Sequence, residues 1–520
     1  MGAANMTSKD LEVHEMFGSL SWIASMLLLL VVSIVVQRLL FGVITRKRLN
    51  LPPMPKGLPI LGTMLKTRGP KTHRILINIA KEFGPLFALK TGLKHFIVIT
   101  SADIAHEALI KNSQVFSTRP RLLSRLNFTG WRSVNSALYG AYWRGIRKNL
   151  VTQVLSTTRV AAFQPFREME LHSLIERLRI QAKENDNVVP VLSNCRHTVF
   201  AILLHVCFGQ KFDMSLIKEL DSILRRLLVI LAPQVIDFLP FIQLFSKKHR
   251  NECQELLGRM RRLFAPLIDE HRELRERGNA ASGDYVDSLI MLQKEMNLKE
   301  TDVLGLIGEA LVGGTDTTAN ALEWTMANLI QYPEIQARLA MEIESIVPDG
   351  RNVDEEDVEK MEYLQAVVKE ALRRHPPLPF GILHGVTEPT KLRGYDIPEE
   401  AFILFHIQAM QHDPQRWDEP EKFKPERFLS PTPNPDYDMT GSHGPRSLDF
   451  IPFGAGRRMC PGMNLALKHV HLILARLVQT FEWSTVKPGQ DVDFSEELAF
   501  TIFMSNPLYA RIRERSPMLR

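Results

Sequence analysis

The chain has 520 residues, 45% of them hydrophobic, and a formal net charge of +6, which excludes a disordered chain and supplies a large packed core. Its basic residues form no stripe with interleaved aromatic side chains, which argues against nucleic-acid binding. Its four cysteines are widely spaced, which excludes a disulfide framework or a zinc motif and indicates a reducing compartment.

The first predicted element is a transmembrane helix. Residues 17–36 carry no charged side chain, and twenty such residues span about the 30 Å of a bilayer core. We therefore predict a lumenal tail at 1–16 and a membrane anchor at 17–44. A cleaved signal peptide is the alternative, although the stretch is long for one and no A-x-A site follows it. Basic residues follow the anchor, so the remainder is expected in the cytosol.

A basic and proline-rich segment at 45–62 follows the anchor. Proline fixes the backbone and removes a hydrogen-bond donor, so this segment is predicted to be a stiff hinge. The remaining residues, 63–520, are expected to form one domain that is mainly α-helical with small β-sheets.

Within that domain a strand pair is predicted over 85–100, where β-branched and aromatic residues dominate. Helical periodicity prevails from 102 to 380, and its most apolar part, up to residue 209, indicates a buried helix. The apolar stretch 228–245 contains two prolines. It is either a loop that dips into the bilayer surface or an ordinary buried connection.

The longest predicted helix covers 301–333, with Thr301 as its N-cap and Pro333 at its end. A further helix is expected over 462–482, and the last part of the chain is predicted to form short strands.

The segment FGAGRRMCPG, residues 453–462, holds the fourth cysteine, Cys460. A lone cysteine is usually a small buried side chain. Here glycines allow unusual backbone angles, and Pro461 suits the first turn of a helix, whose positive end favours a thiolate. A thiolate beside two arginines and a small glycine suits a flat, anionic and hydrophobic group such as a haem. The G-A-G triplet lacks the third glycine of a dinucleotide-binding motif.

This segment resembles, position for position, the haem-binding loop of the cytochrome P-450 monooxygenases. The resemblance implies that Cys460 is the axial thiolate ligand of the iron of haem b. It likewise implies that the chain has the cytochrome P-450 fold. It also implies that Phe453 shields the sulfur and that Arg458 pairs with a haem propionate.

The stretch GGTDTT, residues 313–318, resembles the oxygen-activating part of the family's long helix. Taken alone, these residues favour an ordinary helix with two poor helix formers and three β-branched threonines. The resemblance implies that Asp316 and Thr317 form an acid–alcohol pair above the iron and act as the catalytic proton relay.

Two further motifs are similar to family motifs. EALR places Glu370 and Arg373 on one helical face, and the resemblance implies a buried structural triad with Arg427. Trp143 and Arg147, one helical turn apart, are implied to contact a haem propionate.

Three histidines differ in what their positions imply. His384 falls where the family has a propionate-binding residue, although an isolated histidine normally has no such role. His469 and His471 are two residues apart on a predicted helix, so they face different ways and are not expected to be ligands.

The resemblance implies a monooxygenase that inserts one atom of O2 into a substrate and receives electrons from NADPH through the flavins of a membrane-bound NADPH–cytochrome P-450 reductase. It places the enzyme in the endoplasmic reticulum membrane, in contact with lipid. The spelling of several motifs is most similar to plant microsomal members that hydroxylate or epoxidise fatty acids in-chain for cutin. Residues expected to line the substrate pocket are Leu311, Val312, Phe380, Ile382, Ile502 and Phe503.

Three alternative functions are compatible with parts of the sequence. A terpenoid or phenolic substrate suits an apolar pocket equally well. A peroxide-rearranging family member typically lacks the acid–alcohol pair, which is present here. A non-catalytic haem or electron-transfer membrane protein needs neither a proton relay nor a large pocket.

Overall fold

The computed structural model describes residues 49–515 except 127, 129, 246, 279–282, 349 and 430–446, together with residues 26 and 33. The chain divides into two compact units, Met1–Leu51 and Pro52–Arg520, and the second unit contains all the elements below. The predicted lumenal tail and the anchor at 17–44, apart from residues 26 and 33, lie outside the described residues.

Helices form most of the second unit, as the sequence predicted. In chain order they are α1 (Thr72–Phe83), α2 (Ala102–His106), α3 (Leu123–Leu126), α4 (Ala141–Gln153), α5 (Thr157–Ala162), α6 (Gln164–Glu184), α7 (Val191–Phe208), α8 (Met214–Leu231), α9 (Val235–Phe238), α10 (Lys247–Glu276), α11 (Tyr285–Met296), α12 (Glu300–Gln331), α13 (Pro333–Ile346), α14 (Glu355–Lys360), α15 (Glu362–Arg374), α16 (Ile407–Gln411) and α17 (Met463–Thr480). A π-helical turn and short 3-10 turns complete the set, at Glu107–Lys111, Val115–Ser117, Pro240–Phe245, Pro425–Phe428 and Gly456–Arg458.

The strands are short and form small sheets. They are β1 (Leu86–Thr91), β2 (Lys94–Ile99), β3 (Val188–Pro190), β4 (Thr390–Leu392), β5 (Tyr395–Ile397), β6 (Phe402–Phe405), β7 (Phe481–Thr485), β8 (Glu496–Leu498), β9 (Ile502–Met504) and β10 (Tyr509–Glu514). Two sheets have three strands, in the orders β1-β2-β6 and β3-β10-β7, and the pairs β4-β5 and β8-β9 are hairpins. The strand pair predicted over 85–100 is confirmed as the antiparallel pair β1–β2.

Helix α12 crosses the core, and most of its side chains are buried. It begins earlier than predicted, because the N-cap residue is Lys299, two residues before Thr301, and Thr301 lies inside the first turn. The Asp302 carboxylate accepts a hydrogen bond from the Lys299 backbone N–H at 2.9 Å, which fixes this start. The prediction of Thr301 as the cap was therefore wrong. The helix ends before Tyr332, and Pro333 opens α13.

Helix α7 is the predicted buried helix. Its 18 residues are long and apolar enough to cross a membrane, but 83% of that window is buried inside the protein. It packs against α12 and α6, so within the described residues it is a core helix.

The apolar stretch 228–245 is broken by its prolines into the end of α8, the short helix α9 and a 3-10 turn. Ile236 and Leu239 are buried, whereas Phe241 is 56% exposed. The stretch is thus neither wholly buried nor wholly exposed, and its contact with a bilayer stays a prediction.

Candidate functional site

A cavity of about 350 Å³ is lined by α12, by the loop that contains Cys460 and by the segment after α15. Helix α12 contributes Gly313 and Thr317 to the lining, and the loop contributes Phe453 and Cys460. The long central helix and the cysteine loop therefore meet at one cavity.

The cysteine loop is closed by a hydrogen bond from the Cys460 backbone N–H to the Phe453 carbonyl at 2.9 Å. Gly456 has a φ of +71°, and a Cβ atom there would lie 2.4 Å from the Leu109 carbonyl oxygen. Only glycine fits this close approach without strain. A Cβ atom built at Gly462, by contrast, meets no atom within 4 Å, so the surface beside the thiol is open.

Burial raises the pKa of the Cys460 thiol, while the Gly462 N–H and Arg147 act in the opposite direction. The residue borders the cavity and is partly buried. The helix end and the nearby charges favour a thiolate, but this loss of solvation opposes one. In the chain alone burial is the larger effect, so a thiolate here calls for a bound cation.

Four arginines line the cavity, Arg119, Arg125, Arg147 and Arg458, whereas Glu309 is the one carboxylic acid among the described lining residues. Burial, with a contribution from Arg147, lowers the pKa of Arg458 to about 10. Burial, and then the charges of Arg458, Arg125 and Arg147, lower the pKa of Arg119. The cavity wall is thus a cationic cluster that an anionic ligand would stabilise.

Backbone carbonyls hold these arginines in place. Arg458 donates to the carbonyls of Ser117 at 2.7 Å, Val134 at 3.2 Å and Ala137 at 2.6 Å. Arg147 donates to the Met459 carbonyl at 2.6 Å. Carbonyls orient a guanidinium without neutralising its charge, so the cluster keeps its excess of positive charge.

Arg119 was missed in the sequence. It is 5% exposed and donates to the carbonyls of Asn135, Ile382 and Leu383 at 2.9–3.0 Å. It lies in a loop without periodicity, beside other basic residues, so no sequence pattern distinguished it from a surface arginine.

Trp143 and His384 are near the cluster but already have partners. The Trp143 indole N–H donates to the Val134 carbonyl at 3.0 Å, and its ring lies 4.2 Å from the Arg458 guanidinium carbon. The one N–H of the Trp143 indole is thus already bound to a backbone carbonyl, and its contact with a propionate stays a prediction. His384 Nδ1 donates to the Phe116 carbonyl at 2.7 Å, and burial followed by Arg119 lowers the pKa of His384. His384 is therefore a neutral cavity-wall residue.

The residues present fit a haem. The cationic cluster suits two propionates, the open face at Gly462 suits a flat ring, and Cys460 supplies a sulfur ligand. The neighbouring helix contains His469, which is buried, and His471, which is half-buried. His469 lines the cavity and His471 does not.

The structure separates the predicted acid–alcohol pair. The Thr317 hydroxyl lines the cavity and donates to the Gly313 carbonyl at 2.7 Å. The Asp316 carboxylate lies outside the lining and forms an ion pair with Arg196 of α7, which also binds Asp221 at 2.7 Å. The ion pair with Arg196 directs the Asp316 side chain toward α7, whereas Thr317 borders the cavity.

The EALR motif forms a buried ion pair. Arg373 donates to both Glu370 oxygens at 2.7 and 2.9 Å, and neither side chain is exposed to solvent. Arg427 reaches the same carboxylate at 3.3 Å. The carbonyls of Gln411 and Pro420 accept the remaining Arg373 N–H groups. This group lies outside the cavity lining.

Half of the predicted pocket residues line the cavity, namely Val312, Phe380 and Ile382. Leu311 is instead a core residue of α12, and Ile502 and Phe503 belong to strand β9. The turn between β8 and β9 presents Phe500 to the cavity, two residues before the predicted position. Leu311, Ile502 and Phe503 are not among the lining residues, and their contact with a substrate stays a prediction.

Comparisons with known proteins agree with this site. Residues 52–510 match the family described as Cytochrome P450. The chain is 34% identical to "Cytochrome P450 89A9" of Arabidopsis thaliana over 92% of its length and 96% of the relative's. It is 30% identical to "Isoflavone 2'-hydroxylase" of Glycyrrhiza echinata, over 92% and 95% of the two chains.

A third relative is "Geranylhydroquinone 3''-hydroxylase CYP76B74" of Arnebia euchroma, with 31% identity over 92% of this chain and 97% of the relative. These matches extend over nearly the whole chain, well beyond the cysteine loop. The chain therefore belongs to the cytochrome P450 family of haem-containing monooxygenases, in its plant type.

Proposed function

We propose that this chain is a membrane-anchored haem-thiolate monooxygenase of the endoplasmic reticulum, with its catalytic domain in the cytosol. The observation that carries the proposal is the meeting of Cys460, a cationic cluster and Thr317 at one apolar cavity. When bound there, haem b would supply the O2-activating redox chemistry, with electrons delivered from NADPH by a flavin-containing reductase.

The side chains of the cavity would each bind a different part of the haem. Cys460 would ligate the iron, and Phe453, whose carbonyl closes the cysteine loop, would cover the sulfur. Arg147 and Arg458 would hold the propionates through charge-assisted hydrogen bonds. His384 would pair with a propionate through Nε2 only in its doubly protonated form, because the neutral ring already donates its one N–H, at Nδ1, to Phe116.

Proton delivery would depend on Thr317, whose hydroxyl borders the cavity. Asp316 would reach it only by leaving its ion pair with Arg196 or by acting through water. The relay would thus begin at the α7 face of α12 and end at Thr317.

Thr317→Ala tests this relay, with Thr315→Ala as a matched control. Both hydroxyls donate to the carbonyl four residues back, but Thr315 does not line the cavity. We expect Thr317→Ala to keep its haem and to divert NADPH-derived electrons to hydrogen peroxide, while Thr315→Ala keeps the native ratio of product to NADPH. Equal ratios in the two variants would remove Thr317 from the relay.

For the substrate we propose a long-chain fatty acid, hydroxylated or epoxidised within the chain. The apolar side chains Val312, Phe380, Ile382 and Phe500 border the cavity and suit a long hydrocarbon. The similarity of several motifs to the plant cutin group supports the same substrate class.

A terpenoid or phenolic substrate is the second candidate. The printed names of two relatives are an isoflavone hydroxylase and a geranylhydroquinone hydroxylase, which favours this class. A non-catalytic haem or electron-transfer protein is the candidate from another class, and the apolar cavity beside Thr317 argues against it.

The deciding experiment is expression of the full chain with a plant NADPH–cytochrome P-450 reductase. Long-chain fatty acids, diterpenes and cinnamates are offered separately, and products are identified by mass and by the position of oxygen. A fatty acid gaining one oxygen atom within its chain supports the proposal. Turnover of only a diterpene or cinnamate supports the second candidate, and no substrate-dependent NADPH consumption supports the electron-transfer protein.

A further inference from the structure

Glu309 is a half-buried acid on α12 that lines the cavity, one helical turn before Gly313, and no motif in the sequence singled it out. Its carboxylate accepts hydrogen bonds from the backbone N–H groups of Val134 and Asn135, each at 2.7 Å. The Ser133 side chain donates to it as well. These contacts join the central helix to the loop between α3 and α4.

The same loop holds the cationic cluster from its other side. The Val134 carbonyl accepts from the Trp143 indole at 3.0 Å and from Arg458 at 3.2 Å. The Ala137 carbonyl accepts a second Arg458 N–H at 2.6 Å. Arg458 and Trp143 are therefore oriented by the loop that Glu309 binds.

One peptide group connects the two sides directly. The Val134 carbonyl and the Asn135 N–H belong to the same planar trans peptide, so fixing the direction of the N–H also fixes the direction of the carbonyl. Glu309 holds that N–H, and Arg458 and Trp143 bind that carbonyl. Hydrogen bonds that share a peptide also polarise one another, which strengthens the series.

A hydrophobic residue at position 309 would leave the N–H groups of Val134 and Asn135 without their acceptor. Each unpaired N–H would then lower the stability of the folded chain. Asp302, two turns earlier on α12, binds Arg132 of the same loop at 2.9 Å and supplies a second attachment. The Asp302 contact does not involve the Val134–Asn135 peptide, so Glu309 alone acts on the carbonyl that Arg458 uses.

We propose that Glu309 is a positioning residue that sets the orientation of Arg458 toward the haem propionates, with the Trp143 ring packed against the Arg458 guanidinium. This inference rests on the proposed haem site. Glu309 acts through the Val134–Asn135 peptide, and its role is distinct from that of Arg458, which would contact the haem itself.

The test is the rate of haem transfer from the full-length holoenzyme to excess apomyoglobin. Glu309→Gln keeps the size of the side chain but replaces one acceptor oxygen with an NH2 group that cannot accept. We expect haem transfer about tenfold faster, the size of effect expected for one charge-assisted hydrogen bond. Glu309→Asp keeps both oxygens on a shorter side chain, and its rate should fall between those of the native chain and Glu309→Gln.

A double-mutant cycle with Arg458→Lys separates positioning from general stabilisation. If Glu309 acts through Arg458, Glu309→Gln has little further effect on haem transfer once Arg458→Lys is present. If Glu309 is only a structural clamp, the two effects multiply, which would overturn the proposal. Unchanged haem transfer in Glu309→Gln would overturn it as well.

Glu300→Gln is the matched control, because Glu300 lies on the same helix and pairs at the surface with Arg261 at 3.0 Å. We expect native haem transfer in this variant. Unchanged transfer in Arg458→Lys would overturn the proposed contact of Arg458 with the haem and this role of Glu309 together. Failure of the Glu309 arm alone leaves the proposed haem site intact.

Discussion

Two groups of buried arginines differ in how their charge is balanced. Arg373 and Arg427 share the Glu370 carboxylate, and the pair Glu370–Arg373 has no solvent exposure. Arg147 and Arg458 instead donate to backbone carbonyls beside Cys460. The first group is held by an acid of the chain, whereas the second is held only by neutral acceptors.

This difference distinguishes a structural group from a binding group. The Glu370 group needs nothing from outside the chain, because charge and hydrogen bonds are both supplied internally. The cluster at Cys460 is oriented but carries excess positive charge, which a dianionic ligand would offset. Similar residue types therefore serve different purposes, and the location of the nearest acid tells them apart.

The largest expected effect is on the balanced group. Arg373→Ala leaves the buried Glu370 with the weaker contact to Arg427, at 3.3 Å, as its remaining ion pair, so we expect the free energy of unfolding to fall by about 3–5 kcal/mol. Urea unfolding of the detergent-solubilised chain measures it. Arg277→Ala, which breaks the exposed pair with Glu273, is the control and should cost no more than about 1 kcal/mol. Similar losses in the two variants would contradict a self-contained buried pair.

Glu323 is a buried acid whose carboxylate is bound by a backbone N–H and, among the described residues, by no cation. Burial raises the pKa of Glu323 to about 7, and its Oε2 atom has no hydrogen-bond partner among the described residues. The folded chain therefore binds this proton more tightly than the unfolded chain. The resulting stabilisation is complete below the unfolded pKa and is lost as pH rises through about 7.

We expect Glu323→Gln to remove this pH dependence, which amounts to about 3 kcal/mol between acidic and alkaline pH. The measurement is the free energy of unfolding as a function of pH in the native chain and the variant. Identical slopes in the two proteins would show that Glu323 ionises normally in the folded state.

A substitution in the cluster at Cys460 should change the free energy of unfolding much less than one in the Glu370 group. Arg147→Met removes one hydrogen bond to the Met459 carbonyl but relieves repulsion with Arg119 and Arg458. The unfolding free energy of the haem-free chain should change by no more than about 1 kcal/mol. Haem transfer to apomyoglobin should accelerate by about tenfold, because a propionate loses one charge-assisted partner. A large loss of stability without faster haem transfer would place Arg147 in the structural class.

Features set by local spacing could be predicted from the sequence. Glu370 and Arg373 are three residues apart, so the helix itself brings them together. The β-branched and aromatic composition of 85–100 similarly indicated the β1–β2 pair. The closeness of Gly454 and Gly456 to Cys460 indicated a tight loop, which the structure also has.

Features set by long-range packing could not be predicted. The Asp316–Arg196 ion pair depends on how α7 lies against α12, and no local pattern joins residues 120 positions apart. Arg119 and Glu309 likewise act on backbone groups, which carry no sequence signal. The cavity position of Phe500 depends on a turn of a few residues, where a small shift in register changes the side chain that faces the cavity.

The most direct test of the account is the CO difference spectrum of the reduced protein, measured for Cys460→Ser and Cys207→Ser. Cys207 is the matched control, because it is a second cysteine that lines the same cavity. We expect Cys460→Ser to lose the red-shifted thiolate band entirely and Cys207→Ser to keep it. Retention of that band in Cys460→Ser, or its loss in Cys207→Ser alone, would contradict the assignment of Cys460 as the iron ligand.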